Sequence, residues 1–188
     1  PIVTAGPPLS SSRRWVNATL LPDGRVLATG GATIDNMGSA DYIGNYTINN
    51  AAEVFDPRTG EWTVEATGST VGRMYHSTGL LLADGRVLVA GGGAPGPEYN
   101  LSAELYTPDY LLNGDGTPVT RPTIDTVSAT DLTPGQTITL GSTSTSGVSR
   151  VTMLKAGAVT HSINMEQRLV ELPIRTEAGA DGTTAVTA

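Results

Sequence analysis

The 188-residue chain has no cysteine, only two histidines, 11 lysines and arginines together, and 5% aromatic residues. Each scarcity removes a class of explanation. Without cysteine there is no disulfide framework and no thiolate metal site, and redox compartment leaves no trace in the composition. Eighteen acidic residues outweigh the basic ones, giving a formal net charge of -7 and a sequence pI near 4.7. Nucleic acid and anionic membrane surfaces need clustered Lys and Arg, so neither is expected as a partner. No apolar run approaches the roughly 20 residues of a membrane helix, so no membrane span is expected. The first residues, "PIVTAGPPLSSSRRW", lack the basic region and apolar core of a signal peptide, as a mature or excised segment would. N-glycosylation triplets begin at Asn17, Asn45 and Asn100, a pattern that often arises by chance. With 38% hydrophobic residues, 23 glycines and 12 prolines, the chain reads as a soluble globular protein.

An internal repeat indicates the fold. "NATLLPDGRVLATGG" (17–31) returns as "STGLLLADGRVLVAGGG" (77–93), and "AAEVFDP" (51–57) returns as "SAELYTP" (102–108). Each copy opens with two β-rich runs joined by an Asp-Gly turn, at Asp23-Gly24 and Asp84-Gly85, and glycines end the second run. A third strand is predicted over 53–56 or 104–107, and in the first copy "EWTVEA" supplies a fourth. Four short antiparallel strands in this order make a propeller blade, and the glycine pair with Trp62 fits the kelch form, whose period is about 50 residues. Gly91, Gly92 and Gly93 are a blade bend rather than a phosphate loop, since no Lys-Ser/Thr and helix follow.

The predicted class is therefore all-β: residues 1–120 are kelch blades with an exit linker, "DYLLNGDGTPVTRP". Closed propellers need roughly four to eight blades. Two copies imply that the remainder of the propeller lies elsewhere in the same polypeptide, preceding residue 1, or in another chain. After residue 120 the texture changes to short Thr-, Ser- and Val-rich runs with turns at Pro134-Gly135 and Gly157, the pattern of a β-sandwich. Residues 121–188 number 68 against about 100 for an immunoglobulin-like sandwich, so this domain is expected to be truncated.

Tyr75 and His76 stand directly before the second copy's first strand. Aligned on the Asp-Gly turns, their counterparts are Arg14 and Trp15, so the repeat itself does not require Tyr-His there. Neighbouring side chains on a strand point to opposite faces, so both rings can serve one centre only where the backbone turns. Two readings are open from the residues alone. Either Tyr75 packs between blades and His76 hydrogen-bonds a loop carbonyl, or both bind a metal.

"YHSTGLLLADGRVLVAGGG", "AELYTPDYLLNGDG", "RPTI" and "VTHSINMEQRLVEL" occur in the order found in the C-terminal part of galactose oxidase and its glyoxal-oxidase-like relatives, the copper radical oxidases. The chain resembles that family over most of residues 72–175. The resemblance implies an axial Tyr75 and equatorial His76 and His161 on one copper, with Tyr75 also accepting the substrate proton. Imidazole and oxygen donors suit Cu(II). It further implies a tyrosine-cysteine radical cofactor, which must lie outside a chain without cysteine. The implied reaction oxidises a primary alcohol or aldehyde and reduces O2 to H2O2. For His161 to reach Tyr75, a hairpin of the second domain must enter the propeller channel, with "THSINMEQR" at its tip. Asn164, Gln167 and Arg168 are then either buried anchors or solvated loop residues.

The insert "ATIDNMGSADYIGNYTINN" (32–50) lengthens the first copy, and Tyr42 and Tyr46 within it are candidate contacts to a small alcohol, aldehyde or carbohydrate substrate. The family resemblance implies a secreted or cell-surface location. The alternative function is a non-catalytic kelch and sandwich module that binds carbohydrate or protein, for which the absence of cysteine is the main support.

Overall fold

The computed structural model describes residues 2–33, 47–65, 68–94, 99–143, 147–178 and 184–187. They are all-β apart from one 3-10 turn at Asp109–Leu111. The chain forms two compact units, Pro1–Pro108 with Leu154–Leu169, and Asp109–Met153 with Val170–Ala188.

In the first unit, β1 (Asn17–Leu20), β2 (Val26–Thr29), β3 (Glu53–Asp56) and β4 (Glu61–Val64) form an antiparallel sheet in sequence order. The second repeat forms a three-stranded sheet from β5 (Thr78–Leu81), β6 (Val87–Ala90) and β7 (Ala103–Tyr106). The Asp-Gly hairpins have three-residue loops rather than two. Leu21 N–H donates to Arg25 O and Gly24 N–H to Leu21 O, and Leu82, Arg86 and Gly85 repeat both bonds. Gly24 and Gly85 take φ of 92° and 85°, the left-handed residue of a three-residue loop. The adjoining arginine completes the motif. Asp23 accepts from Arg25 N at 3.0 Å and Nε at 2.6 Å, as Asp84 does from Arg86 at 3.0 and 2.8 Å.

Leu21, Leu27, Ala28 and Val54 fill the core of the first sheet, and Met74, Val87 and Val89 that of the second. Each large apolar side chain so buried contributes about 1.5–3 kcal/mol. An arginine–glutamate ion pair occupies the matching place in each repeat. Arg13 pairs with Glu53 and donates from Nη1 to Gly30 O and Ala51 O; Arg73 pairs with Glu104 and donates from Nη1 to Gly91 O and Ser102 O. Burial alone would raise the Glu104 carboxyl, but hydrogen bonds from Ser69, Thr70 and Arg73 outweigh it and hold the pKa at about 2. Glu53 is lowered likewise, with burial opposed by Ser10 and Arg13.

The equivalence of these arginines exposes an extra residue. Arg13 and Arg73 are 60 positions apart, whereas Gly24 and Gly85 are 61 apart. The shift falls immediately after the arginine. Ala32 N–H donates to Arg14 O as Gly93 N–H donates to Tyr75 O, so Arg14 matches Tyr75 and Met74 is the inserted residue. It is fully buried.

The two sheets meet along β1 and β5 without a strand ladder between them. Thr19 Oγ1 donates to Gly79 O at 3.3 Å, and Gly31 N–H donates to Arg73 O at 2.6 Å. Gly30 shows why glycine is needed at this crossing: a Cβ there would lie 2.3 Å from Arg73 O.

The second unit contains an antiparallel sheet of β8 (Thr126–Val127), β9 (Thr139–Ser142), β14 (Arg175–Ala178) and β15 (Thr184–Thr187), ordered β14-β15-β9-β8. Ile138 is its one buried large apolar side chain among the described residues. β10 (Val151–Lys155) pairs with β13 (Arg168–Leu172), and the chain between them forms a hairpin of β11 (Ala158–Thr160) and β12 (Ile163–Met165). That hairpin belongs to the first unit.

Candidate metal centre

Tyr75 and His76 are the two central residues of a four-residue turn, closed by Ser77 N–H donating to Met74 O at 2.8 Å. His76 has φ of 66°, the left-handed third position that a type II turn usually gives to glycine. The turn resolves the geometric difficulty of adjacent ligands. On a strand the two rings would face apart; here they stack with centroids 3.9 Å apart and planes 29° apart. Trp15, at the matching position of the first repeat, has φ of 61°, and its ring lies 4.4 Å from that of Tyr75.

His161 reaches the same place on the β11–β12 hairpin. Thr160 pairs with Ile163, leaving His161-Ser162 as a two-residue loop with φ of 54° and 61°. Two consecutive left-handed residues define a type I′ turn, where Asn-Gly is the usual sequence. The tip therefore carries an imidazole at a position that normally carries none. Asn164 Nδ2 donates to Gly79 O at 2.9 Å, Gln167 Nε2 donates to Ala18 O at 3.0 Å, and Gln167 Oε1 accepts Leu20 N–H at 2.7 Å. Asn164 and Gln167 thus anchor the hairpin on β5 and β1. Arg168, at the start of β13, is exposed. Gly157 makes room for the anchor, since a Cβ there would lie 1.7 Å from Asn164 Oδ1.

The three rings converge. The His76 and His161 centroids are 4.8 Å apart with planes at 65°, and Tyr75 and His161 are 5.6 Å apart at 48°. Both imidazoles are exposed and the phenol is half-buried. Thr160 Oγ1 bonds His161 Nδ1 at 2.6 Å, so Nε2 is the nitrogen left for a ligand. His76 makes ring contacts and no hydrogen bond among the described residues, so no loop carbonyl claims it. Two imidazoles and a phenol form a nitrogen-oxygen donor set suited to Cu(II), and the convergence of the rings on one exposed place fits such an ion. No cluster of three or more His, Cys, Asp or Glu that could hold a metal occurs among the described residues.

Tyr42 and Tyr46 lie outside the described residues. Sequence reasoning did not connect the histidines with their chain neighbours Thr160, Ser77 and Ser162, or with Asn17, which donates to Ser77. A signal was present: both histidines are followed by serine, in "YHS" and "THS".

Residues 121–188 match the family model "Galactose oxidase-like, Early set domain". A galactose oxidase of Gibberella zeae is 32% identical over 170 residues, 89% of this chain and 24% of that protein. The aldehyde oxidase GLOX1 of Arabidopsis thaliana is 29% identical over 189 residues, covering 93% of this chain and 30% of its own length. Among solved structures, a fungal alcohol oxidase with catalytic diversity among the AA5 family, in complex with copper, aligns with 95% of this chain and 36% of its own. That alignment has a TM-score of 0.79 at 33% identity. The chain spans about a quarter to a third of the length of these relatives. No helix among the described residues is long and apolar enough to cross a membrane. The chain belongs with the galactose oxidase and glyoxal oxidase-like proteins, and its residues 121–188 are a galactose oxidase-like Early set domain.

Proposed function

We propose that Tyr75, His76 and His161 bind one copper ion, and that the chain supplies these ligands to a copper radical oxidase of primary alcohols or aldehydes. The observation that carries this reading is the convergence of the three rings, each histidine held in a left-handed turn and neither engaged by a backbone carbonyl. Copper, with a tyrosine-cysteine radical cofactor supplied from outside this cysteine-free chain, would provide the two-electron chemistry that oxidises the substrate and reduces O2 to H2O2.

The chain's own residues bind and orient. His161 presents Nε2 because Thr160 occupies Nδ1, and His76 presents its imidazole from the tip of the Met74–Ser77 turn. Tyr75, on this reading deprotonated when it holds the metal, would accept the substrate hydroxyl proton on its phenolate oxygen, and the Trp15 ring packs against it with centroids 4.4 Å apart. In this reading residues 1–120 are two kelch blades of a propeller completed by the same polypeptide or another chain, and residues 121–188 are the immunoglobulin-like domain. The protein is secreted or at the cell surface. Its substrate is a small alcohol, aldehyde or carbohydrate.

Copper titration of the full-length protein tests the assignment. A stoichiometric site lost in both His76→Ala and His161→Ala supports it, and unchanged binding in either variant refutes it. The absence of cysteine favours a second reading, a non-catalytic module that binds carbohydrate or protein. Peroxide release from primary alcohols or aldehydes by the copper-loaded protein decides between the two.

A further inference from the structure

The serines that follow the two histidines touch each other. Ser77 Oγ and Ser162 Oγ are 3.3 Å apart, and both residues are buried, at 1% and 6% exposure. The direction of the bond follows from its neighbours. Ser162 Oγ donates to Met74 O at 3.1 Å, and a hydroxyl has one proton. Ser162 must therefore accept from Ser77. Ser77 in turn accepts from Asn17 Nδ2 at 2.7 Å, with Asn17 completely buried. The result is one directed relay, from the Asn17 amide through the Ser77 and Ser162 hydroxyls to the Met74 carbonyl.

The relay joins the two histidine turns. Met74 O is the carbonyl that closes the turn carrying Tyr75 and His76, since it also accepts Ser77 N–H. Ser162 is the second residue of the I′ turn that begins with His161. Met74 is also the residue inserted in the second repeat, so the first repeat has no matching carbonyl. Gly92 keeps the space beneath the turn clear, since a Cβ there would lie 2.9 Å from Ser77 Cβ and 3.0 Å from Met74 N. Hairpin anchoring alone does not account for the relay, because Asn164 and Gln167 already fix the hairpin on β5 and β1.

We propose that the Ser77–Ser162 hydroxyl relay is a positioning device for the metal centre, tying the His76 turn to the His161 turn so that the two imidazoles keep one mutual geometry. The inference rests on the copper reading given above. Ser77 and Ser162 are positioning residues and do not touch the ion. Two left-handed turns built without glycine are strained, and a bond between them removes the freedom each would have to relax independently.

Copper(II) titration and electron paramagnetic resonance of the full-length protein test the inference, with His76→Ala and His161→Ala measured alongside. Ser162→Gly removes the hydroxyl yet suits φ of 61°, so it leaves the hairpin intact. Ser77→Ala breaks the relay at its other member. In both variants copper affinity is expected to fall about 10-fold or more and the copper hyperfine pattern to change, while the melting temperature of Ser162→Gly stays at the parental value. Parental affinity and spectrum in a folded Ser162→Gly or Ser77→Ala protein, with binding lost in the histidine variants, overturns the relay and leaves the copper reading standing. Unchanged binding in the histidine variants overturns both.

Discussion

At one backbone position the first repeat carries Trp15 and the second carries His76, with φ of 61° and 66°. The shared left-handed conformation belongs to the repeat, not to metal binding. What differs is the use made of it. In the first repeat it lays a half-buried indole against Tyr75; in the second it lifts an imidazole into solvent beside His161. In the proposed site, strain at His76 is thus inherited from a structural turn, to which the second repeat adds an imidazole and one inserted residue, Met74.

Exchanging side chains at this position separates the two uses. Asparagine tolerates the left-handed region, so His76→Asn keeps the backbone while removing the imidazole. Copper affinity is expected to fall by more than the roughly 10–100-fold lost with an outer partner, with thermal stability near the parental value. Trp15→Asn should do the reverse, losing about 2 kcal/mol of stability from the packed ring while retaining a stoichiometric copper site. Titration and denaturant unfolding of both variants read the contrast, and copper loss in Trp15→Asn would erase it.

The two ion pairs offer a second contrast. Arg13 and Glu53 are both fully buried as side chains, whereas Glu104 is 27% exposed. Removing Arg13 leaves a buried carboxylate, so Arg13→Ala is expected to cost about 3–5 kcal/mol. Arg73→Ala should cost less, because Glu104 keeps Ser69 and Thr70 and some access to water. Both carboxyls have folded pKa values below the ordinary value of 4.5. Their contribution to stability is complete above that value and is lost as pH falls from 4.5 toward about 2, where Glu104 protonates. Urea unfolding across this range should show a smaller pH dependence in Glu104→Gln.

The smallest contrast concerns glycines. Gly30→Ala meets Arg73 O and also sits at φ of 70°, whereas Gly116→Ala meets nothing within 4 Å and bears only the strain of φ 82°. Gly116→Ala should cost about 1–2 kcal/mol and Gly30→Ala clearly more, as judged by melting temperature.

Much of the first unit was legible because its signals are local. The strand over 53–56 is where the repeated segment puts it, its counterpart runs over Ala103–Tyr106 rather than 104–107, and "EWTV" forms the fourth strand. The Asp-Gly hairpins were correctly located, but their three-residue loops depend on backbone angles that the dipeptide alone does not reveal. The family resemblance put "THSINMEQR" at a hairpin tip, but the two-residue form of the His161-Ser162 turn left no local signal. Neither residue favours consecutive left-handed angles, so the turn is imposed by the anchors at Asn164 and Gln167. Alignment on the glycines likewise concealed the insertion of Met74, which emerges only when the buried arginines are superposed on their glutamates. Of the candidate site, the family's motifs single out Tyr75, His76 and His161, whose rings lie together in the structure. Their serine neighbours became meaningful only with the two turns side by side.

The hairpin that carries His161 has a consequence for the order of assembly. Its bonds to the body of the unit join residues 85 to 149 positions apart, among the most distant pairings in the chain. Closing such long loops is entropically slow, so the repeats can form their sheets before the hairpin docks. During synthesis, Tyr75 and His76 are made long before their third partner exists. In the proposed copper site, an ion arriving early would meet only two of the three residues, and coordination by all three would report that the hairpin has docked.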